Sequence, residues 1–162
     1  MSKKKAIIID IDGTFGYDPA ASNSVYTNPE NIDWKAWNLS RIDLPTNGWC
    51  RNIIESYVWQ GYHIIYLTGR SSNDMGYEVT KEWLDKFSPT PRYSLIMRPP
   101  GVFGKDVQTK LDLYKELVEP QYNIALAIDD KREICEMWQG LGINTLYCGD
   151  MSTLTVVEKE IG

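Results

Sequence analysis

Short apolar runs alternate with segments of helical period along this chain, and that alternation constrains the fold more than any other feature. Residues 6–9, 62–67, 93–97, 123–128 and 143–148 are strand-length runs rich in β-branched and aromatic side chains. Between them, residues 48–60 carry Trp49, Ile53, Ile54, Tyr57 and Val58 at three- and four-residue spacings, which predicts a helix. A second helix is predicted up to Phe87, capped by Ser72 or Asn73, with Val79, Trp83 and Leu84 inward. A third is predicted over 106–118, with Val107, Leu111, Tyr114 and Leu117 inward, and a fourth over 131–141, with Ile134, Met137, Trp138 and Leu141 inward. Residues 153–160 read as a short final helix. The order predicts an α/β fold: a five-stranded, mainly parallel sheet with right-handed crossovers and helices on both faces. At 162 residues the chain fits one domain around a single core.

Three of the predicted strands end in chemically pointed residues. The first runs into Asp10-Ile11-Asp12-Gly13-Thr14, the second into Thr68-Gly69-Arg70, and the fourth into Asp129-Asp130. Lys110 lies in the first turns of the third helix. The carboxyl ends of parallel strands share one edge, where open α/β sheets form their ligand crevices. Alternation along an extended chain sends Asp10 and Asp12 to the same side, where two anions repel unless a cation or a shared proton lies between them. Alone, the first stretch also reads as an acidic strand-to-loop turn. With all of these groups on one edge, the carboxylates form an oxygen-only donor set suited to Mg²⁺, and Thr68, Arg70 and Lys110 supply donors and positive charge for an anion. Such a combination is suited to phosphate.

Residues 15–46 show neither period. They hold Pro19, Pro29 and Pro45 together with Tyr17, Tyr26, Trp34 and Trp37. A loop of this length in a compact domain is functional or disordered, and its aromatic content argues against disorder. We read a flap or small cap over about 15–47, with a helical turn within 31–37. Trp34 and Trp37 fit either a base-stacking surface or the flap's own small core.

Several function classes are excluded or disfavoured. The single histidine, His63, opens the second strand and has the position of a structural residue, which argues against histidine-dependent nucleophilic machinery and against a zinc site. Cys50, Cys135 and Cys148 form no CxxC pair, so reduced thiols and a cytoplasmic location are expected. The apolar runs are strand-sized, so neither a membrane span nor a signal peptide is read. A net charge of −5 argues against extensive tracking of a nucleic-acid backbone, though not against recognition of one terminal phosphate.

The set DxDGT, a Thr closing the second strand, a Lys, and an Asp-Asp pair, in that order over nearly the whole chain, resembles the four motifs of haloacid-dehalogenase-type (HAD) phosphohydrolases. That resemblance implies a Rossmann-like (HAD-like) three-layer sandwich. It also implies Asp10 as nucleophile forming an aspartyl-phosphate, Asp12 as general acid and then base, and Thr68 and Lys110 holding phosphoryl oxygens. Mg²⁺ would be held by Asp10, the backbone carbonyl of Asp12, Asp129 and Asp130. The second half of the chain, with Leu67-Thr68-Gly69-Arg70, Ile96-Met97-Arg98, Lys105-Asp106, Lys110 and 126–138, is similar to the phosphatase domain of phage polynucleotide kinase/3′-phosphatases. This similarity implies a phosphorylated nucleotide or nucleic-acid end as partner, with substrate contacts on Thr68, Arg70 and Lys110, and Arg98 and Lys105 as weaker candidates. Thr14 is also expected to bind substrate, and Arg41 in the flap is a phosphate candidate that the similarity does not support. Arg70 has an alternative as an ion pair with Asp74 or Glu78.

The chain has no GxxxxGK[ST] loop, so no kinase domain is expected. Its first motif reads DGTF, and its flap matches the family poorly. The expected activity is a Mg²⁺-dependent 3′-phosphomonoesterase. A nucleoside 5′-monophosphatase and a non-catalytic phosphate-end-binding module are the competing readings.

Overall fold

A computed structural model describes residues 2–18 and 32–149. Five parallel strands, β1 (Lys4–Ile9), β2 (His63–Ser71), β3 (Tyr93–Arg98), β4 (Tyr122–Asp129) and β5 (Thr145–Tyr147), form one sheet in the order β3-β2-β1-β4-β5. The helices are α1 (Trp34–Leu39), α2 (Gly48–Trp59), α3 (Gly76–Phe87), α4 (Asp106–Leu113) and α5 (Arg132–Gly140). The expected five-stranded α/β sheet is present. The expected helix over 153–160 lies outside the described residues.

The central strand shows why the chain folds in layers. Ala6, Ile7, Ile8 and Ile9 are all buried, and successive side chains point to opposite faces. Ile7 and Ile9 pack with Phe15, Leu44, Ile54, Trp83 and Leu84, which places α2, α3 and the base of the flap on one face. Ala6 and Ile8 pack with Leu113, Tyr114, Val118, Ile134 and Trp138, which places α4 and α5 on the other. Each fully buried isoleucine contributes about 1.5–3 kcal/mol. The three cysteines are free and buried, and His63 bonds Ser94 Oγ through Nε2 at 2.7 Å.

Two helices differ from expectation. α3 begins at Gly76 rather than behind a Ser72 or Asn73 cap, because β2 extends to Ser71 and pairs there with Arg98. The turn between them passes through Asp74 and Met75 at φ of 54° and 67°, and a Cβ on Gly76 would meet the Ser71 carbonyl oxygen at 2.0 Å. The segment expected as one helix over 106–118 is α4 followed by a π-helical turn, Tyr114–Val118. Its buried face carries Lys110, Leu113, Tyr114 and Val118, whereas Leu117, expected inward, is exposed. The helix is rotated so that Lys110 reaches buried carboxylates, and the wider turn brings Val118 back to the core.

Candidate active site

The sheet order reverses between β1 and β4, the point where open α/β sheets bind ligands. Asp10 follows β1 directly and Asp129 closes β4. The backbone N–H of Asp10 donates to the Ile128 carbonyl at 3.1 Å, which locks the two strand ends together. Carboxylate oxygens of Asp10, Asp129 and Asp130 all lie within 4.8 Å of one another. Burial first, and then repulsion from Asp10, raise the carboxyls of Asp129 and Asp130 above the ordinary carboxylate range. Lys110 relieves part of this repulsion: its Nζ donates to Asp10 Oδ1 at 2.9 Å and to Asp129 Oδ2 at 2.7 Å.

These residues fit a divalent cation. The donors are all carboxylate oxygens, which suits a hard ion, and the raised carboxyls of Asp129 and Asp130 mark excess negative charge in a buried place. Gly13, at φ 81°, keeps one side of the cluster clear, since a Cβ there would stand 2.2 Å from Asp130 Oδ2. A side chain in the motif's fourth position would therefore displace a carboxylate.

Asp12 occupies a separate environment. Its carboxylate accepts from Arg70 Nε and Nη2, both at 2.7 Å, and Arg70 Nη1 donates to Thr80 Oγ1 at 3.1 Å. Burial alone would raise the Asp12 carboxyl, but the guanidinium overrides it and holds the group below the ordinary range. Thr68 is buried, and its hydroxyl oxygen accepts the Arg70 backbone N–H at 3.1 Å. On its other side the Arg70 guanidinium sits 5.5 Å from the Trp37 ring centre.

The remaining expected residues fall into distinct places. Asp10, Asp12, Thr68, Arg70, Arg98, Lys110 and Asp130 line one cavity of about 870 Å³. Thr14, expected at the substrate, is fully buried behind Asp10, where its hydroxyl donates to Asp10 Oδ2 at 3.0 Å. Arg70 pairs with Asp12 rather than with Asp74 or Glu78. Arg98 is engaged by the chain itself, through Gly69 O at 3.0 Å, Asp106 Oδ1 at 2.5 Å and Gly104 O at 3.2 Å, so it clamps the β3–α4 loop. Arg41 pairs with Asp18 at 2.8 Å, and Lys105 is exposed at the start of α4.

No role is assigned from the sequence to Asp106, which enters only in the Lys105-Asp106 pair, or to Lys131. Asp106 lines the cavity between Arg98 and Lys131, whose Nζ donates to Asp106 Oδ2 at 2.5 Å. A Cβ on Gly69 would touch the Asp106 carboxylate at 2.9 Å, so the strand-end glycine makes room for it. An acidic residue in a first helical turn reads as ordinary dipole compensation, which hides Asp106 in the sequence. The cavity is further lined by Trp34 and Trp37 from α1, Val102 and Phe103 from the β3–α4 loop, and the polar Asn38, Ser71, Asn73 and Asp74. Among the described residues, no helix is long and apolar enough to cross a membrane.

Residues 4–151 match the family described as the polynucleotide kinase PNKP phosphatase domain. A relative from Autographa californica nuclear polyhedrosis virus, described as a bifunctional polynucleotide kinase/RNA ligase, is 27% identical over 143 residues; these are 88% of this chain and 19% of that protein. The fold matches a chain in the structure of the Pnkp1/Rnl/Hen1 RNA repair complex with a TM-score of 0.73 and 25% identity, covering 91% of this chain and 43% of that one. A class C acid phosphatase from Bacillus anthracis, solved with tungstate bound, shares the fold at a TM-score of 0.61 and 19% identity over 91% of this chain and 67% of its own. The chain thus spans about a fifth of the viral relative and less than half of the repair-complex chain.

Proposed function

Because the chain belongs to the polynucleotide kinase PNKP phosphatase domain family, and is a phosphoric monoester hydrolase of the HAD type, we propose that it removes 3′-phosphates from nucleic-acid ends or nucleotides with the help of Mg²⁺. One observation carries this reading. Two carboxylates one residue apart have opposite partners: Asp10 faces Lys110 and the acidic cluster, and Asp12 is held by the Arg70 fork. Paired carboxylates in unlike environments divide into a nucleophile and a proton carrier.

Asp10 attacks phosphorus and takes the phosphoryl group as an aspartyl-phosphate, while the bond to the nucleoside oxygen breaks. Asp12 gives its proton to that leaving oxygen, and it then takes a proton from the water that attacks the aspartyl-phosphate and releases inorganic phosphate. Thr14 and Lys110 fix the two oxygens of Asp10 from opposite partners. Thr68 and Lys110 border the place where the transferred oxygens would sit. Bound Mg²⁺, held by Asp10, Asp129, Asp130 and the Asp12 carbonyl, would add positive charge against those oxygens. We read the described residues as one domain, with α1 and its flanking segment as part of the cap expected over 15–47, of which residues 19–31 lie outside the described residues.

Phosphate release from matched 3′- and 5′-phosphorylated nucleotides and oligonucleotides, with Mg²⁺ and with EDTA, tests the proposal. We expect release from 3′-phosphates, lost with EDTA and with Asp10→Asn. A preference for 5′-mononucleotides would replace it with the 5′-nucleotidase reading.

A further inference from the structure

The active-site cavity is far larger than a phosphoryl group and changes character along its length. Cavities of about 300–1,000 Å³ hold drug-sized molecules, and this one encloses about 870 Å³. Its inner part is lined by Asp10, Asp12, Thr68, Lys110 and Asp130, while Trp34 and Phe103 join the lining from two separate segments, α1 and the β3–α4 loop. Phe103 is 91% exposed and Trp34 40%. Neither ring is buried as a core aromatic. The Trp37 ring, by contrast, is engaged by the Arg41 guanidinium at 4.4 Å, the Arg70 guanidinium at 5.5 Å, and the edge of Trp34 at 5.8 Å. Trp37 is therefore held by its neighbours, and Trp34 and Phe103 are the exposed aromatic rings of the cavity lining.

We propose that Trp34 and Phe103 form the subsite for the nucleobase of the terminal, phosphate-bearing nucleotide. This rests on the nucleotide reading given above. A phosphoryl group beside Asp10 and Lys110 leaves the attached nucleoside to occupy the remainder of the same cavity, where Trp34 and Phe103 supply aromatic surface next to the polar Asn38, Ser71, Asn73 and Asp74. Stacking suits any base, because each has a π-face, and it gives affinity with little sequence preference. The loop bearing Phe103 is anchored rather than loose: Arg98 donates to the carbonyls of Val102 and Gly104 on either side of it, at 3.4 and 3.2 Å. Arg98 thus acts on the substrate through Phe103, as a positioning residue. The subsite requires a base and tolerates all four.

The test compares kcat/KM for nucleoside 3′-monophosphates with that for ribose 3-phosphate, and for nucleoside 5′-monophosphates with ribose 5-phosphate. The expected result is a preference of about tenfold or more for the substrate carrying a base, with the four bases within a few-fold of one another. Trp34→Ala and Phe103→Ala should collapse that preference toward one, and Phe103→Tyr should keep it. Circular dichroism of each variant separates this from misfolding, and a preference that survives in folded variants overturns the subsite. Equal rates on base-bearing and base-free substrates in the wild type also overturn it, while leaving the 3′-phosphatase reading intact. A base preference seen only on 5′-phosphates keeps the subsite and overturns the 3′ reading. Hydrolysis of none of the four overturns both.

Discussion

Arg70 grips Asp12 with two parallel hydrogen bonds, Nε to Oδ2 and Nη2 to Oδ1, each 2.7 Å long. The fork fixes the carboxylate in the plane of the guanidinium and favours its charged form. A group with that bias is ready to act as a base, yet in the proposed reaction it has to carry a proton to help the nucleoside oxygen leave. Under that proposal the Arg70 pair sets the pH range over which Asp12 would serve as acid.

For Arg70→Gln the sign follows directly. Loss of the guanidinium raises the Asp12 pKa, so the protonated form persists to higher pH. The falling alkaline limb of kcat/KM for a nucleotide should move upward in pH, with a lower maximum because positioning is lost; general acid–base action is worth about 10²–10⁴-fold. A substrate with a good leaving group, such as p-nitrophenyl phosphate, needs no proton from Asp12 and should show little movement of this limb. The paired pH–rate profiles check it.

The acidic cluster predicts a stability effect of the opposite sense. The folded-state pKa values of Asp129 and Asp130 are raised, so the folded protein binds more protons than the unfolded chain between the ordinary carboxylate value, about 4, and the raised values. Stability of the metal-free protein must fall as pH rises through that window. Added Mg²⁺ should raise Tm, and by more at higher pH, because the ligands must be deprotonated to bind. Thermal unfolding across pH with Mg²⁺ or EDTA measures both trends.

Lys110→Met keeps a long unbranched side chain and removes the charge between Asp10 and Asp129. Removing one partner of a buried ion pair costs about 3–5 kcal/mol, and the loss should be largest at alkaline pH, where the carboxylates cannot relax by taking up protons. The kcat should fall by about 10²–10³-fold, as for other lost electrostatic stabilisers. Denaturant titration and steady-state kinetics read the two effects separately.

Gly13→Ala tests the crowding beside Asp130. The added methyl would fall 2.2 Å from Asp130 Oδ2 at a backbone φ of 81° that disfavours side chains. The expected outcome is a drop in Mg²⁺ affinity of about 10–100-fold, the usual consequence of disturbing a ligand's surroundings, read by calorimetric titration of the folded variant.

Much of this was legible in the sequence because strand ends are. The apolar runs before Asp10, Thr68 and Asp129 are parallel strands of one sheet as their patterns predict, and Trp83 and Trp138 are core residues as their helical spacing implies. What the sequence hides is partnership across distance. Arg70 lies 58 residues from Asp12, and helix-local logic offers Asp74 or Glu78 instead. The inward face of the segment 106–118 differs from expectation because apolar periodicity counts Leu117 inward, whereas the helix turns Lys110 to the carboxylates at the ends of β1 and β4. Thr14 reads as a substrate residue when adjacency to the motif is the only clue, yet its hydroxyl turns back onto Asp10.

The central claim is that Asp10, and not Asp12, carries the phosphoryl group. It is tested most directly by acid-quenching the enzyme during turnover of a 3′-phosphorylated nucleotide and locating phosphate on the chain by peptide mass spectrometry. Phosphate is expected on Asp10 and is expected to be absent in Asp10→Asn. Turnover with phosphate on Asp12, or with no acid-stable phosphate on the chain under conditions that trap acyl-phosphates, would contradict it.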